Sequence, residues 1–301
     1  MRLLITGGTG FVGRRLVERA IADGHQVMVV SRDPVAARET LGSEVTVRDS
    51  AGAFVDDKPE AIVNLAGEPI ADRRWSDSQK TRLLESRRHA TREVVALCEQ
   101  LAAQNAAPGV LVSGSAMGYY GDQGDREVTE QTPPHDEFAH RLCEMWEHEA
   151  HQAEAFGTRV ACIRIGLVLD AGGGTLAKMA PPFKLGLGGK IGDGRQYMPW
   201  IHREDLVRII EFLLVRDDLA GAINASAPNP VTNAGFTRAM GRHLHRPTLF
   251  FIPGPLLKAA LGEMSRLLLT GACMRPRRLE NAGFEFRYPT LDDALAAIFG
   301  D

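Results

Sequence analysis

Lysine is nearly missing from this 301-residue chain. Only six of its 35 basic residues are lysines, and none lies between Lys80 and Lys178. Chemistry that needs a lysine from that stretch is thereby excluded. Cysteine is as sparse. Cys98, Cys143, Cys162 and Cys273 are scattered, with no pair at CxxC spacing. That argues against a zinc site or dithiol redox motif and for reduced, buried thiols in a cytoplasmic protein. No run of 18 apolar residues occurs and no apolar leader precedes Leu3-Leu4-Ile5, so neither a membrane span nor a signal peptide is expected. Positive charge is not in excess either. At a net charge of −3 the chain has no basic field for nucleic acid or an anionic membrane.

Glycine, by contrast, is abundant at 31 residues, and it clusters where backbone has to turn sharply or approach a ligand. Apolar residues make up 44% and charged ones 24%, enough for a full core and too apolar for a disordered chain. Short apolar runs alternate with helical periodicity through the first half. Strands are expected at Leu3–Thr6, Gln26–Val30, Val45–Val47, Ala61–Leu65, Gly109–Ser113 and Val160–Ile165. Helices are expected over Phe11–Ala22, Ser78–Gln104 and Glu137–Phe156. Continuously apolar strands separated by helices predict a doubly wound α/β fold with a parallel sheet.

After Ile165 the rhythm breaks. Gly172-Gly173-Gly174 and Gly186–Gly194 read as loops, and Pro181-Pro182 is expected to prevent a regular helix between them. Helices resume over Glu204–Val215, Asn233–His243, Leu256–Leu269 and Leu291–Phe299, with a strand near Ala222–Ala225. The expected division is a nucleotide-binding domain over 1–165, its sheet completed by 203–226, and a smaller interleaved substrate domain over 166–301.

Thr6-Gly7-Gly8-Thr9-Gly10-Phe11-Val12-Gly13 sets GxxGxxG between the first strand and its helix. Gly7 permits the tight turn and Gly10 lets backbone approach a pyrophosphate. Gly13 lets helix and strand pack closely, and the helix N-terminus supplies N–H donors. The end of the second strand discriminates between cofactors. An acidic residue there would accept the 2′-hydroxyl of NAD(H), but the chain has Val30-Ser31-Arg32-Asp33. Ser31 and Arg32 suit a 2′-phosphate, for which a guanidinium offers a fixed charge and several donors. Arg14 adds a second cation, while Asp33 reads equally as a helix cap. NADP(H) is therefore expected over NAD(H).

Taken together, the TGGTGFVG turn, Asn64-Leu65-Ala66-Gly67, Ser113–Gly121 and Arg164-Ile165-Gly166 resemble an extended short-chain dehydrogenase/reductase. Further motifs narrow the likeness to the epimerase-family subgroup often labelled nucleoside-diphosphate-sugar epimerase. They are Asn64–Pro69 (NLAGEP), Glu85-Ser86-Arg87, Ser113–Gly121 (SGSAMGYYG), Gly188–Gly194, Trp200-Ile201-His202, and Gly283-Phe284-Glu285-Phe286 with Tyr288-Pro289. The resemblance runs from about Met1 to Phe299. It implies a Rossmann domain with a small substrate domain. It also implies that Asn64, Leu65, Ala66, Gly67, Ser113 and Arg164 lie beside the cofactor. Glu68, Arg195, Trp200 and His202 would then lie near a small polar substrate, nucleotide sugars being one such class.

The chain departs from that family at one point. Members carry Tyr-x-x-x-Lys on the helix after the fifth strand, where one turn puts both side chains on one face and the ammonium lowers the phenol's pKa for proton transfer. Here the residues four beyond Tyr119, Tyr120, Tyr197 and Tyr288 are Gln123, Gly124, Ile201 and Asp292. By position, Phe138 and Leu142 stand in the two slots. Ser115 is left to bind a substrate oxygen, with Tyr119 or Tyr120 as acid/base or as an aromatic wall of the cleft. Histidine as a residue type titrates near neutrality, which makes His135 and His140 candidate proton shuttles, although their segment reads more plainly as a loop and a helix start capped by Asp136. Two functions stay open: an NADP(H)-dependent oxidoreductase or epimerase, and a non-catalytic NADP(H)-binding redox sensor or partner-binding module. Monomer and homodimer are both compatible with the long helix over Ser78–Gln104.

Overall fold

The computed structural model describes residues 1–300. Seven parallel strands form the central sheet: β1 (Arg2–Thr6), β2 (Gln26–Val30), β3 (Thr46–Arg48), β4 (Ala61–Asn64), β5 (Val110–Ala116), β6 (Arg159–Ile165) and β7 (Gly221–Ala225). The helices that matter below are α1 (Phe11–Ala22), α2 (Pro34–Leu41), α3 (Asp77–Ala102), α4 (Phe138–His151), α5 (Gly174–Lys184), α6 (Arg203–Val215) and α7 (Asn233–His243). Across the sheet the order is β3-β2-β1-β4-β5-β6-β7. This is a doubly wound Rossmann-like arrangement, and the strand order reverses between β1 and β4.

Each central strand is apolar on both faces and needs cover on both. Leu3 and Ile5 turn to the face covered by α1 and α6, while Leu4 turns to the other, under α3. Ser76 starts α3 by accepting from the Gln79 amide, with Asp77 in the first turn. The buried face of that helix includes Leu83, Arg87, Thr91, Val94 and Leu101, a helical stripe with a guanidinium inside it. Asp33 caps α2 through the Ala36 amide, and Pro34 follows at the first helical position.

The second half differs from expectation in three places. Pro181 and Pro182 lie inside α5 rather than preventing it. Late in a short helix the two prolines forfeit only two hydrogen bonds, and Leu176, Ala180 and Phe183 bury in the second core with Trp200, Phe236 and Leu295. The helix expected over Leu256–Leu269 is divided at Gly262, whose φ of 60° ends Gly254–Leu261 before Arg266–Leu269 begins. The helix expected over Glu137–Phe156 ends at His151 and passes into a 3-10 turn, Gln152–Phe156. Its N-cap is Glu137, not Asp136, which pairs with Arg141 instead.

The two halves are keyed together above the glycine turn. A Cβ on Gly173 or Gly174 would lie 2.3 or 2.6 Å from the Phe11 ring, so only glycine lets the start of α5 rest there. All four cysteines are free and buried, and burial pushes the Cys98 and Cys143 thiols up to about 11. Among the described residues, no helix is long and apolar enough to cross a membrane.

Candidate cofactor and substrate site

The crevice at the strand reversal is built from backbone. Gly7 has φ +71°, and a Cβ there would meet the Leu65 carbonyl at 2.8 Å. The glycine turn therefore rests directly on the chain leaving β4. Gly13 is tighter still, since its Cβ would sit 2.1 Å from the Gly7 carbonyl oxygen. Gly8 is buried against Val29, and Thr9 is exposed. No side chain caps α1; Gly10 is the N-cap, and the first helical bond runs from the Arg14 amide to the Gly10 carbonyl. The amides of Phe11, Val12 and Gly13 precede it, an arrangement that suits a phosphate.

A buried polar row fixes the Leu65–Gly67 segment. Register places Thr6, Asn64 and Ser113 side by side on β1, β4 and β5. Thr6 Oγ1 donates to Asn64 Oδ1 at 2.7 Å and accepts from the Ala66 amide at 3.2 Å. Asn64 Nδ2 donates to Thr91 Oγ1 and Ser113 Oγ. The side chains of Asn64 and Ser113 are thus spent inside the protein. They hold the Leu65–Gly67 backbone against the glycine turn and do not face a ligand themselves.

At the end of β2 the Ser31 hydroxyl turns back to Asp33. Arg32 and Arg14 are exposed, and neither guanidinium has an ion pair or hydrogen bond among the described residues. Their neighbours do: Arg15 pairs with Glu204, and Arg48 with Asp57.

Beyond β5 the structure corrects three expectations. Ser115 Oγ donates to Glu147 Oε1 at 2.6 Å, so its proton points into the protein. Arg164, expected beside the cofactor, is 3% exposed and bound to both Glu147 oxygens at 2.8 and 2.9 Å. Burial opposes the Arg164 charge, and the paired bonds to Glu147 more than offset it, raising its pKa. Tyr120 is fully buried, donating to Asn224 Oδ1 at 2.6 Å and accepting from Arg164 Nη1 at 3.0 Å. Burial pushes its phenol up to about 12, out of range for acid/base work near neutrality. Tyr119 is only half-buried. Its ring lies 3.3 Å from Arg164 Cζ, and its hydroxyl has no hydrogen bond among the described residues. His140 is buried with Nδ1 on the Tyr119 carbonyl, whereas His135 is exposed. Phe138 and Leu142 lie in an apolar cluster with Trp75 and Met264.

Trp200 and His202, expected near a substrate, are both buried. Trp200 is buried and donates Nε1 to the Asn229 carbonyl. His202 is buried, stacks on Tyr288, and accepts from the Glu204 amide through Nδ1, capping α6. Arg195 is exposed, and Glu68 accepts from Gln79 Nε2 at 2.8 Å. Met117, Gly118, Ala139, Arg266 and Gly271 line a small depression of about 30 Å³, room for about one water. The Arg266–Glu137 ion pair lies at its wall.

His202 gives the fold an acid-sensitive point. Burial lowers its pKa, with Asp170 and Asp205 opposing that shift. Below about pH 6.5 the unfolded chain takes up a proton that the folded chain resists. Stability present above that pH is therefore lost as pH falls toward the depressed folded value. Thermal melts at pH 7.5 and 5.5 are expected to show a smaller drop for His202→Asn, which keeps a cap acceptor without the titration. An equal drop in both proteins would contradict this role.

Sequence reasoning missed Glu147 and took Arg87 only as part of the Glu85-Ser86-Arg87 motif, with no role of its own. Arg87 is buried on α3, its Cζ 5.0 Å from the centre of the Trp146 ring, with Nη1 donating to the Leu83 carbonyl. Its signal was a cation at a core position of the α3 stripe.

Residues 3–225 match the NAD dependent epimerase/dehydratase family, and residues 252–298 match a domain of unknown function, DUF1731. The chain is 39% identical to epimerase family protein SDR39U1 homolog, chloroplastic, of Arabidopsis thaliana, over 99% of this chain and 86% of that protein. It is 36% identical to epimerase family protein YfhF of Bacillus subtilis, over 100% of this chain and 99% of that one. Among solved structures, human epimerase family protein SDR39U1 (isoform 2) with NADPH is similar over 100% of both chains, with a TM-score of 0.88 at 33% identity.

Proposed function

Because the chain belongs to the NAD dependent epimerase/dehydratase family, we propose that it binds NADP(H) in the β1–β4 crevice and acts as an oxidoreductase or epimerase. Its substrate is a small polar molecule, nucleotide sugars being one such class. The observation that carries the cofactor choice is the exposed, unpaired Arg32 at the end of β2, where a carboxylate would otherwise meet the ribose of NAD(H). Arg14 stands ready as a second cation, and human SDR39U1 was solved with NADPH. The side-chain-free cradle of Gly7, Gly10 and Gly13 and the uncapped start of α1 fit a pyrophosphate.

NADPH bound there supplies a hydride at its nicotinamide. The chain's own part is to hold the phosphates at α1 and to support the ligand on the Leu65–Gly67 backbone, with the substrate beside it. Proton transfer falls to Tyr119 or to water, since Tyr120 is sealed.

Arg32→Ala is expected to weaken NADPH binding by about tenfold or more, the loss of one charge-assisted contact being about 1.5–3 kcal/mol. NADH binding should not change. Calorimetric titration of both cofactors into both proteins decides it, and an equal loss for NADH would sink the assignment.

A second reading has its own support. Phe138 and Leu142 fill the proton-transfer slots with apolar core, which suits an NADP(H)-binding sensor without turnover. Any substrate-dependent change in nicotinamide absorbance would exclude it.

A further inference from the structure

We infer that Arg87 is the receptor for a carboxylate carried by the substrate, gripping it through the Nε–Nη2 edge of its guanidinium. This deepens the proposed function and rests on it for placing a substrate in this crevice. The fold buries two guanidiniums near the carboxyl ends of β4 to β6, and they differ in one respect. Arg164 has both oxygens of Glu147. Arg87, 8% exposed, has no carboxylate within ion-pair distance among the described residues. Its only hydrogen bond is from Nη1 to Leu83, a carbonyl of its own helix. Nε is sealed from water and bonded to nothing, and Nη2 makes no hydrogen bond within the described chain. A buried cation left this way is destabilising unless something completes it.

The surroundings define the missing partner. The guanidinium lies in a slot. The Trp146 ring centre lies 5.0 Å from Cζ, and a Cβ on Gly67 would stand 3.1–3.3 Å from Cζ, Cγ and Nε. Its two unmet donors share one edge, and that planar fork matches the two oxygens of a carboxylate. The indole beside it also has an unmet buried donor, Trp146 Nε1. Gly67 belongs to the same Leu65–Gly67 segment that borders the glycine turn, so the fork sits where the cofactor crevice meets α3. The nearest acid in charge terms, Glu68, is not within ion-pair distance, and its Oε1 is engaged by Gln79.

The test uses the full chain as wild type, Arg87→Met, Arg87→Lys and Glu68→Gln, each with and without saturating NADPH. Sodium acetate and inorganic phosphate are titrated at constant ionic strength, read by calorimetry and by melting temperature. Acetate is expected to bind wild type saturably, to lose at least about tenfold in Arg87→Lys, where the fork is gone but the charge remains, and to vanish in Arg87→Met. Ligand-free Arg87→Met should melt at or above wild type, because an unpaired charge has been removed. NADPH affinity should stay within about threefold throughout. The inference falls if acetate does not saturate wild type, if phosphate binds in its place, or if Arg87→Lys binds acetate equally well. It falls equally if acetate binds only Glu68→Gln, which would make Glu68 the internal partner, or if Arg87→Met loses NADPH. Should Arg87→Met fail to fold, Arg87→Lys decides alone. Failure of NADPH to bind any form would remove the proposed function, leaving the NADPH-free acetate titrations to judge Arg87.

Discussion

Glu147→Gln is expected to lower the free energy of unfolding by about 3–5 kcal/mol, the usual consequence of leaving one member of a buried ion pair alone. The guanidinium of Arg164 would lose the charge that offsets its burial. Ser115 Oγ would lose its carboxylate acceptor as well. The disturbance would reach Tyr120, since Arg164 Nη1 also binds the Tyr120 hydroxyl, and from there Asn224 on β7. Urea unfolding at neutral pH measures this directly. The double variant Glu147→Gln with Arg164→Met should recover most of the loss, because no buried cation remains. A single variant as stable as wild type would show that the pair does not hold β5, β6 and α4 together.

Gly13→Ala is expected to cost about 1–3 kcal/mol, the range for overpacking a close contact. Taken from binding, that is a loss of about ten- to hundredfold in NADPH affinity. The added methyl would lie 2.1 Å from the Gly7 carbonyl oxygen and 2.8 Å from the Gly8 Cα. Both are backbone atoms, so the turn itself has to open. Gly52→Ala is the control, because its Cβ would have no neighbour nearer than 4.0 Å. Cofactor titration and thermal melts of the two variants should separate cleanly. Wild-type affinity and stability in Gly13→Ala would mean that the turn is not closed on itself as described.

The Rossmann half was legible because its signals are local. Leu3–Thr6, Gln26–Val30 and Phe11–Ala22 are apolar runs punctuated by glycine, and each needs only its own residues to be read. Arg32, proposed above to meet a phosphate, was legible only as an exposed cation at a strand end. Tyr120 was not. Nothing adjacent separates it from Tyr119; the partner that sequesters it, Asn224, lies 104 residues away in sequence. Arg164 carried a motif-level likeness, but its burial is decided by Glu147 on α4, and spacing alone does not pair them. The chain after Ile165 was harder for the same reason. Its two-residue strands, such as Tyr197–Met198 against Val231–Thr232, exist only through partners distant in sequence. Arg87 was legible as part of the Glu85-Ser86-Arg87 motif but not as a core position of its helix. Leu83, Arg87 and Thr91 recur at four-residue spacing on one helix face, and a guanidinium in such a stripe is rare enough to question.

The lateral position of β7 has a consequence for how the protein is made. β7 pairs with β6 from Gly221–Ala161 to Ala225–Ile165, yet it follows β6 only after the long stretch over residues 166–220. At about 5–20 residues per second, a ribosome needs several seconds to deliver it. Through that interval the nascent sheet has an open flank at β6, whose unpaired N–H and C=O groups are a template for a neighbouring polypeptide. Slow translation between residues 166 and 220 would prolong that exposure, and slowing it is expected to lower the yield of folded protein.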